Sequence, residues 1–131
     1  MKTIKDFVRE NNIKMDLDPL GTNPWMEDSN NMNNYDVTLG RGRKYLSTHF
    51  STGLGWTHDP DIEDVLSCLA SDAAGIANSL NFDAWCGEYG YDTDSRRAER
   101  LYKVCKREAK KLENFLGYDL YHELLWEVER E

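Results

Sequence analysis

Three places in the sequence hold residue types that do chemistry. Cys86 with His49 or His58 supplies the two halves of a thiolate–imidazole pair, in which the imidazole takes the thiol proton and leaves a nucleophilic sulfur. Cys86 sits between Trp85 and Gly87, however, a core-like setting that favours a buried structural thiol. Asp92-Thr93-Asp94-Ser95 opens like a calcium loop but lacks the central glycine and the terminal bidentate glutamate, so helix capping explains it better. Gly53-Leu54-Gly55 lacks the third glycine of a phosphate cradle and reads as a turn before Trp56. The patterns G-x-S-x-G, G-x-x-x-x-G-K-S/T, G-x-G-x-x-G and H-E-x-x-H are all missing. His122, beside Tyr121 in an apolar helical stretch, reads as a packed or surface histidine rather than a ligand. The expectation is no catalytic residue, no cofactor and no metal site; an acid pair assembled in space from the 24 carboxylates has no sequence signature.

Charge is the stronger signal. The 131 residues carry 24 acidic and 16 basic side chains, a net charge of -8, which disfavours a simple non-specific nucleic-acid binder. The charges are also sorted along the chain. From Tyr45 to Ser95 there are nine carboxylates and no Lys or Arg; from Arg96 to Lys111 there are eight basic residues against Glu99 and Glu108. Some acids in the first segment serve local purposes: Asp59 and Asp94 are placed to cap helices, and Asp61 and Glu63 complement a helix dipole. The remainder are free to face a partner with a basic groove, imitating the phosphates of a nucleic acid. Asp61, Asp64, Glu88 and Asp92 are the candidate acids, with Trp85, Tyr89 and Tyr91 as aromatic anchors where exposed. The alternative surface is basic. Arg96, Arg100, Lys103, Arg107 and Lys110 form one helical stripe that either stays solvated, docks on acidic segments of this chain or a second subunit, or contacts phosphate. Arg41, Arg43 and Lys44 extend it if their hairpin tip lies beside that helix.

These residues need elements to hold them. Thr3 caps a short helix over 3–11, and Ile13, Met15 and Leu17 alternate as a strand ending at Pro19. Leu20–Asn34 is the longest expected loop, anchored by Trp25 and Met26. Tyr35–Leu39 and Leu46–Phe50 form a hairpin about Gly40-Arg41-Gly42. Asp59-Pro60 predicts the start of a helix carrying Ile62, Val65, Leu66 and Leu69, interrupted at Gly75 and Asn78. Phe82, Trp85 and Tyr89 mark a second helix closed by Gly90. Thr93-Asp94-Ser95 opens the longest helix, which runs to Leu116 with Leu101, Cys105, Ala109, Leu112 and Leu116 inward, and a last helix spans about Tyr118 to Glu129. Strands and helices are segregated, so the expectation is a single α+β domain over residues 1–131, with a small antiparallel sheet packed by about four C-terminal helices and a short N-terminal one.

Four Trp and seven Tyr supply apolar area enough to offset the ordering entropy of one domain. No apolar run approaches the roughly 18 to 20 residues that span a bilayer, and Met1-Lys2-Thr3-Ile4-Lys5-Asp6 lacks the apolar core of a secretion signal. Cys68, Cys86 and Cys105 are odd in number and contain no C-x-x-C pair, which fits a reducing cytoplasm.

The stretch Asp64-Val65-Leu66-Ser67-Cys68-Leu69-Ala70-Ser71-Asp72-Ala73, followed by Trp85-Cys86-Gly87-Glu88-Tyr89-Gly90-Tyr91-Asp92-Thr93-Asp94-Ser95-Arg96-Arg97-Ala98-Glu99, resembles a family of small uncharacterised proteins of bacteriophages and prophages. The hairpin segments Tyr35-Asp36-Val37-Thr38-Leu39 and Phe50-Ser51 extend the resemblance over about residues 35 to 126. The resemblance implies no activity and no catalytic residues. It implies instead a phage-type inhibitory protein in the host bacterial cytoplasm, of anti-CRISPR or antirestriction kind, whose partner is a host defence protein with a nucleic-acid groove. A nucleic-acid-binding accessory protein is the alternative.

Overall fold

A computed structural model describes residues 2–21, 33–52 and 58–129. The expected anchors Trp25 and Met26 and the turn Gly53–Trp56 lie outside the described residues. In chain order the elements are β1 (Lys2–Thr3), α1 (Ile4–Glu10), β2 (Lys14–Gly21), β3 (Asn33–Arg41), β4 (Lys44–Thr52), α2 (Ile62–Asn78), α3 (Phe82–Tyr89), α4 (Arg96–Leu116), α5 (Tyr118–Trp126) and β5 (Val128–Glu129). The class is α+β. β2, β3 and β4 form an antiparallel sheet in that order, and β1 pairs with β5 in parallel.

β2 runs past Pro19 to Gly21, with a register irregularity between them. Proline lacks an N–H to donate, and at the edge of a sheet none is demanded. The hairpin closes on Arg41 opposite Lys44, so its turn is Gly42-Arg43 rather than Gly40-Arg41-Gly42. Gly42 holds a φ of 62°, the left-handed value that a tight hairpin turn asks of its first central residue. One sheet face, with Tyr35, Val37, Leu39 and Leu46 buried, joins Phe7, Val65, Leu66, Leu112, Phe115, Leu124 and Leu125 in the main core.

α2 begins later than Asp59-Pro60 suggests. Its cap is Asp61, whose Oδ1 accepts from the Asp64 N–H at 2.9 Å, while Asp64 Oδ2 accepts from the Asp61 N–H at 2.9 Å. Asp59 instead accepts a hydrogen bond from the Tyr35 hydroxyl at 3.1 Å. Nor does Gly75 interrupt α2, which continues through it to Asn78. α4 is capped by Ser95, not Asp94, through the Ala98 N–H. Its inward seam is Ala98, Tyr102, Cys105, Ala109, Leu112 and Leu116, spaced alternately four and three apart, which turns Leu101 out to water. α5 stops at Trp126 because Val128 and Glu129 leave it to pair with Lys2 and Thr3.

Candidate partner-binding surface

α3 is eight residues long, too short to hold its shape in isolation. Asn81 caps its start through the Ala84 N–H at 2.9 Å, and Gly90 ends it at a φ of 75°. That left-handed glycine reverses the chain, and the Tyr91 N–H donates to the Cys86 carbonyl at 2.9 Å. Tyr91 thereby folds back over Trp85, with ring centroids 5.2 Å apart and planes 7° from parallel. Tyr89 meets the same indole at 5.4 Å, Tyr102 of α4 at 5.3 Å and Phe82 at 6.4 Å. Trp85, Phe82 and Tyr102 thus form a satellite core with Ile76, Cys86 and Ala98, separate from the main one, and Tyr89 and Tyr91 lie on it from outside.

The rings divide into floor and surface. Trp85 is 4% exposed, whereas Tyr89 and Tyr91 are 49% and 39% exposed. Asp83, Glu88, Asp92 and Asp94 are exposed on the same stretch of chain. A groove of about 580 Å³ runs between α2 and α3, bordered by Gly75, Asn78, Glu88 and Tyr89. Gly75 creates the room: a Cβ there would stand 2.1 Å from the Tyr89 hydroxyl oxygen.

Of the residues assigned to partner binding, Trp85, Glu88, Tyr89, Tyr91 and Asp92 come together, with Trp85 as support beneath the exposed rings. Asp61 and Asp64 do not join them. They cap the opposite end of α2, and the 11 residue steps from Asp64 to Gly75 correspond to about 16 Å of helix.

The basic candidates run along the exposed side of α4 from its first residue, Arg96, to Lys110, with the hairpin tip at its far end. Arg96, Arg100, Lys103, Arg107 and Lys110 are all exposed along a helix about 30 Å long. Three lysines meet glutamates of the same helix: Lys103 with Glu99 at 3.1 Å, Lys110 with Glu113 at 3.3 Å and Lys111 with Glu108 at 3.1 Å. The hairpin tip does lie beside this helix. Arg41 donates to the Phe115 carbonyl at 3.3 Å and Lys44 to the Asn114 carbonyl at 3.1 Å, while Lys111 donates to the Ser47 carbonyl at 3.1 Å. Carbonyls in the last turn of a helix have no partner within it and carry the negative end of its dipole. Arg41 and Lys44 therefore serve as a C-terminal cap for α4, and Arg43 stands exposed at the turn.

The thiols are not poised for nucleophilic work. Burial pushes the Cys86 thiol up, as does the charge of Asp83; burial and then Asp72 do the same to Cys68 and Cys105. In the Asp92–Ser95 turn, Asp92 accepts from the Asp94 N–H at 3.1 Å and Ser95 caps α4, so the calcium-like opening is used as a turn. Among the described residues no three His, Cys, Asp or Glu side chains converge to hold a metal ion, and no helix is long and apolar enough to cross a membrane.

Sequence reasoning missed two features. The approach of Tyr89 to Gly75 leaves no signal except a glycine within a helical pattern. The second is an aromatic row on α5: Tyr118 and Trp126, both exposed, with the half-buried His122 between them, each four residues from the next, a spacing visible once α5 is phased. No protein-family model, no curated protein and no solved structure matches this chain.

Proposed function

We propose that the chain is an inhibitory binding protein that occupies a basic, nucleic-acid-binding groove on another protein, using the α3 end of the molecule. The observation that carries this reading is that two partly exposed tyrosines, fixed on a buried tryptophan, share one short stretch of chain with four exposed carboxylates. Rigid aromatics at the centre of an interface supply most of the affinity at low entropic cost, and the acids around them steer and select a cationic partner. The anti-CRISPR or antirestriction form of this inhibitor, acting in a bacterial cytoplasm, rests on the phage-family resemblance read from the sequence alone.

The second reading, nucleic-acid binding by α4, is favoured by the hairpin tip lying beside that helix. It is the weaker of the two. A net charge of -8 repels a polyanion until α4 is within about one Debye length, roughly 8–10 Å, and the tip cations Arg41 and Lys44 are already engaged with carbonyls of α4.

Immobilised chain exposed to bacterial lysate tests both. The expected result is retention of a nucleic-acid-binding protein that added DNA or RNA displaces and that a Glu88→Lys, Tyr91→Ala, Asp92→Lys variant fails to retain. Equal retention by that variant, or direct retention of nucleic acid by the purified chain at moderate salt, contradicts the inhibitor reading.

A further inference from the structure

We infer that the chain self-associates head to tail, the aromatic row of α5 on one copy docking against the N-terminal half of α4 on the next. On α5, Tyr118 is 72% exposed and Trp126 50% exposed. The rings are mutually fixed: Tyr118 packs on His122 with centroids 4.3 Å apart, and the Trp126 indole N–H donates to His122 Nδ1 at 3.1 Å. Single exposed apolar residues are ordinary, but a pre-ordered aromatic row two turns long has little entropy left to lose on binding.

One residue further on, an acidic row runs parallel to the rings: Asp119, Glu123 and Glu127. Lys2 engages Glu123, while Asp119 and Glu127 are exposed. Such a face fits a basic amphipathic helix and repels phosphate and anionic lipid alike.

The same chain displays a helix of that kind. Leu101 and Val104, one turn apart, are 37% and 39% exposed among Arg97, Arg100 and Arg107. From Arg97 to Arg107 is about 15 Å and from Asp119 to Glu127 about 12 Å along their axes, so the charged rows differ by about 3 Å, less than one helical turn. The docked faces are different surfaces of one copy, which makes the contact heterologous.

Sedimentation of the intact chain at concentrations on the order of 100 μM tests this, since weak contacts of this size fall in the micromolar to millimolar range. Wild type sediments as concentration-dependent oligomers. Trp126→Ala, which spoils the α5 face, and Leu101→Glu, which spoils the α4 face, are each monomeric with unchanged far-ultraviolet circular dichroism. Mixed in equal amounts, the two variants form dimers and nothing larger, because each supplies the face the other lacks. Tyr91→Ala on the α3 surface leaves association intact, so this outcome is independent of partner inhibition. A monomeric wild type, or two monomeric variants that fail to complement, overturns the inference.

Discussion

The two ends of α4 use similar numbers of charged side chains differently. At its C-terminal end the cations close onto the protein itself: Arg41 and Lys44 on the last carbonyls of the helix, Lys111 on Ser47 and Glu108. At its N-terminal end, where α3 packs, the carboxylates of Asp83, Glu88, Asp92 and Asp94 stand exposed, as do Arg96, Arg97 and Arg100. The lesson is that a charge run in sequence does not say whether the charge is available. The basic run of α4 is partly spent on fold architecture, while the acidic α3 region retains its charge at the surface.

The comparison breaks most visibly at Trp85. Trp85→Ala removes the floor of the satellite core and should cost about 3–5 kcal/mol, read as a lower midpoint in urea. A loss below about 1 kcal/mol would mean that the rings beneath Tyr89 and Tyr91 are not a core. Asp61→Ala separates architectural from available acid: it should cost about 1 kcal/mol through loss of the capping box and leave partner affinity unchanged. If affinity fell instead, Asp61 would belong to the binding surface after all. Gly75→Ala sharpens the comparison with the smallest change in stability. Alanine gains helix propensity of up to about 1 kcal/mol over glycine, and displacing the Tyr89 ring offsets it, so unfolding should move by less than about 1 kcal/mol. Partner affinity should fall, because Tyr89 can no longer lie across α2. Unchanged affinity would remove Tyr89 from the contact.

Much of the fold was legible because it is local. Thr3 and Gly90 mark helix ends through side-chain and left-handed chemistry that each residue carries by itself. The hairpin followed from alternation, although its turn is Gly42-Arg43, because Gly40 and Arg41 still pair within the sheet and Gly42 supplies the positive φ. What was not legible depends on contacts between distant segments. β1 with β5 joins the two ends of the described chain, and the choice of Asp61 over Asp59 as cap reflects the hydrogen bond from Tyr35. The site divides in the same way. The grouping of Trp85, Glu88, Tyr89, Tyr91 and Asp92 follows from one short helix and its glycine stop, but the exclusion of Asp61 and Asp64 needed the length of α2. The role of Gly75 as room for Tyr89 needed the packing of α3 on α2.

The most direct test of the account is a paired affinity measurement on the retained partner protein across a range of salt. The Glu88→Lys, Tyr91→Ala, Asp92→Lys variant should lose at least about 30-fold, the equivalent of one interface hot spot at 2 kcal/mol, and wild-type binding should weaken as salt rises. Arg96→Glu, Arg100→Glu, Arg107→Glu should stay within about threefold of wild type, as expected of charges outside the contact. The reverse pattern, with affinity lost on changing α4 and kept on changing α3, would contradict the account and make the basic helix the functional surface.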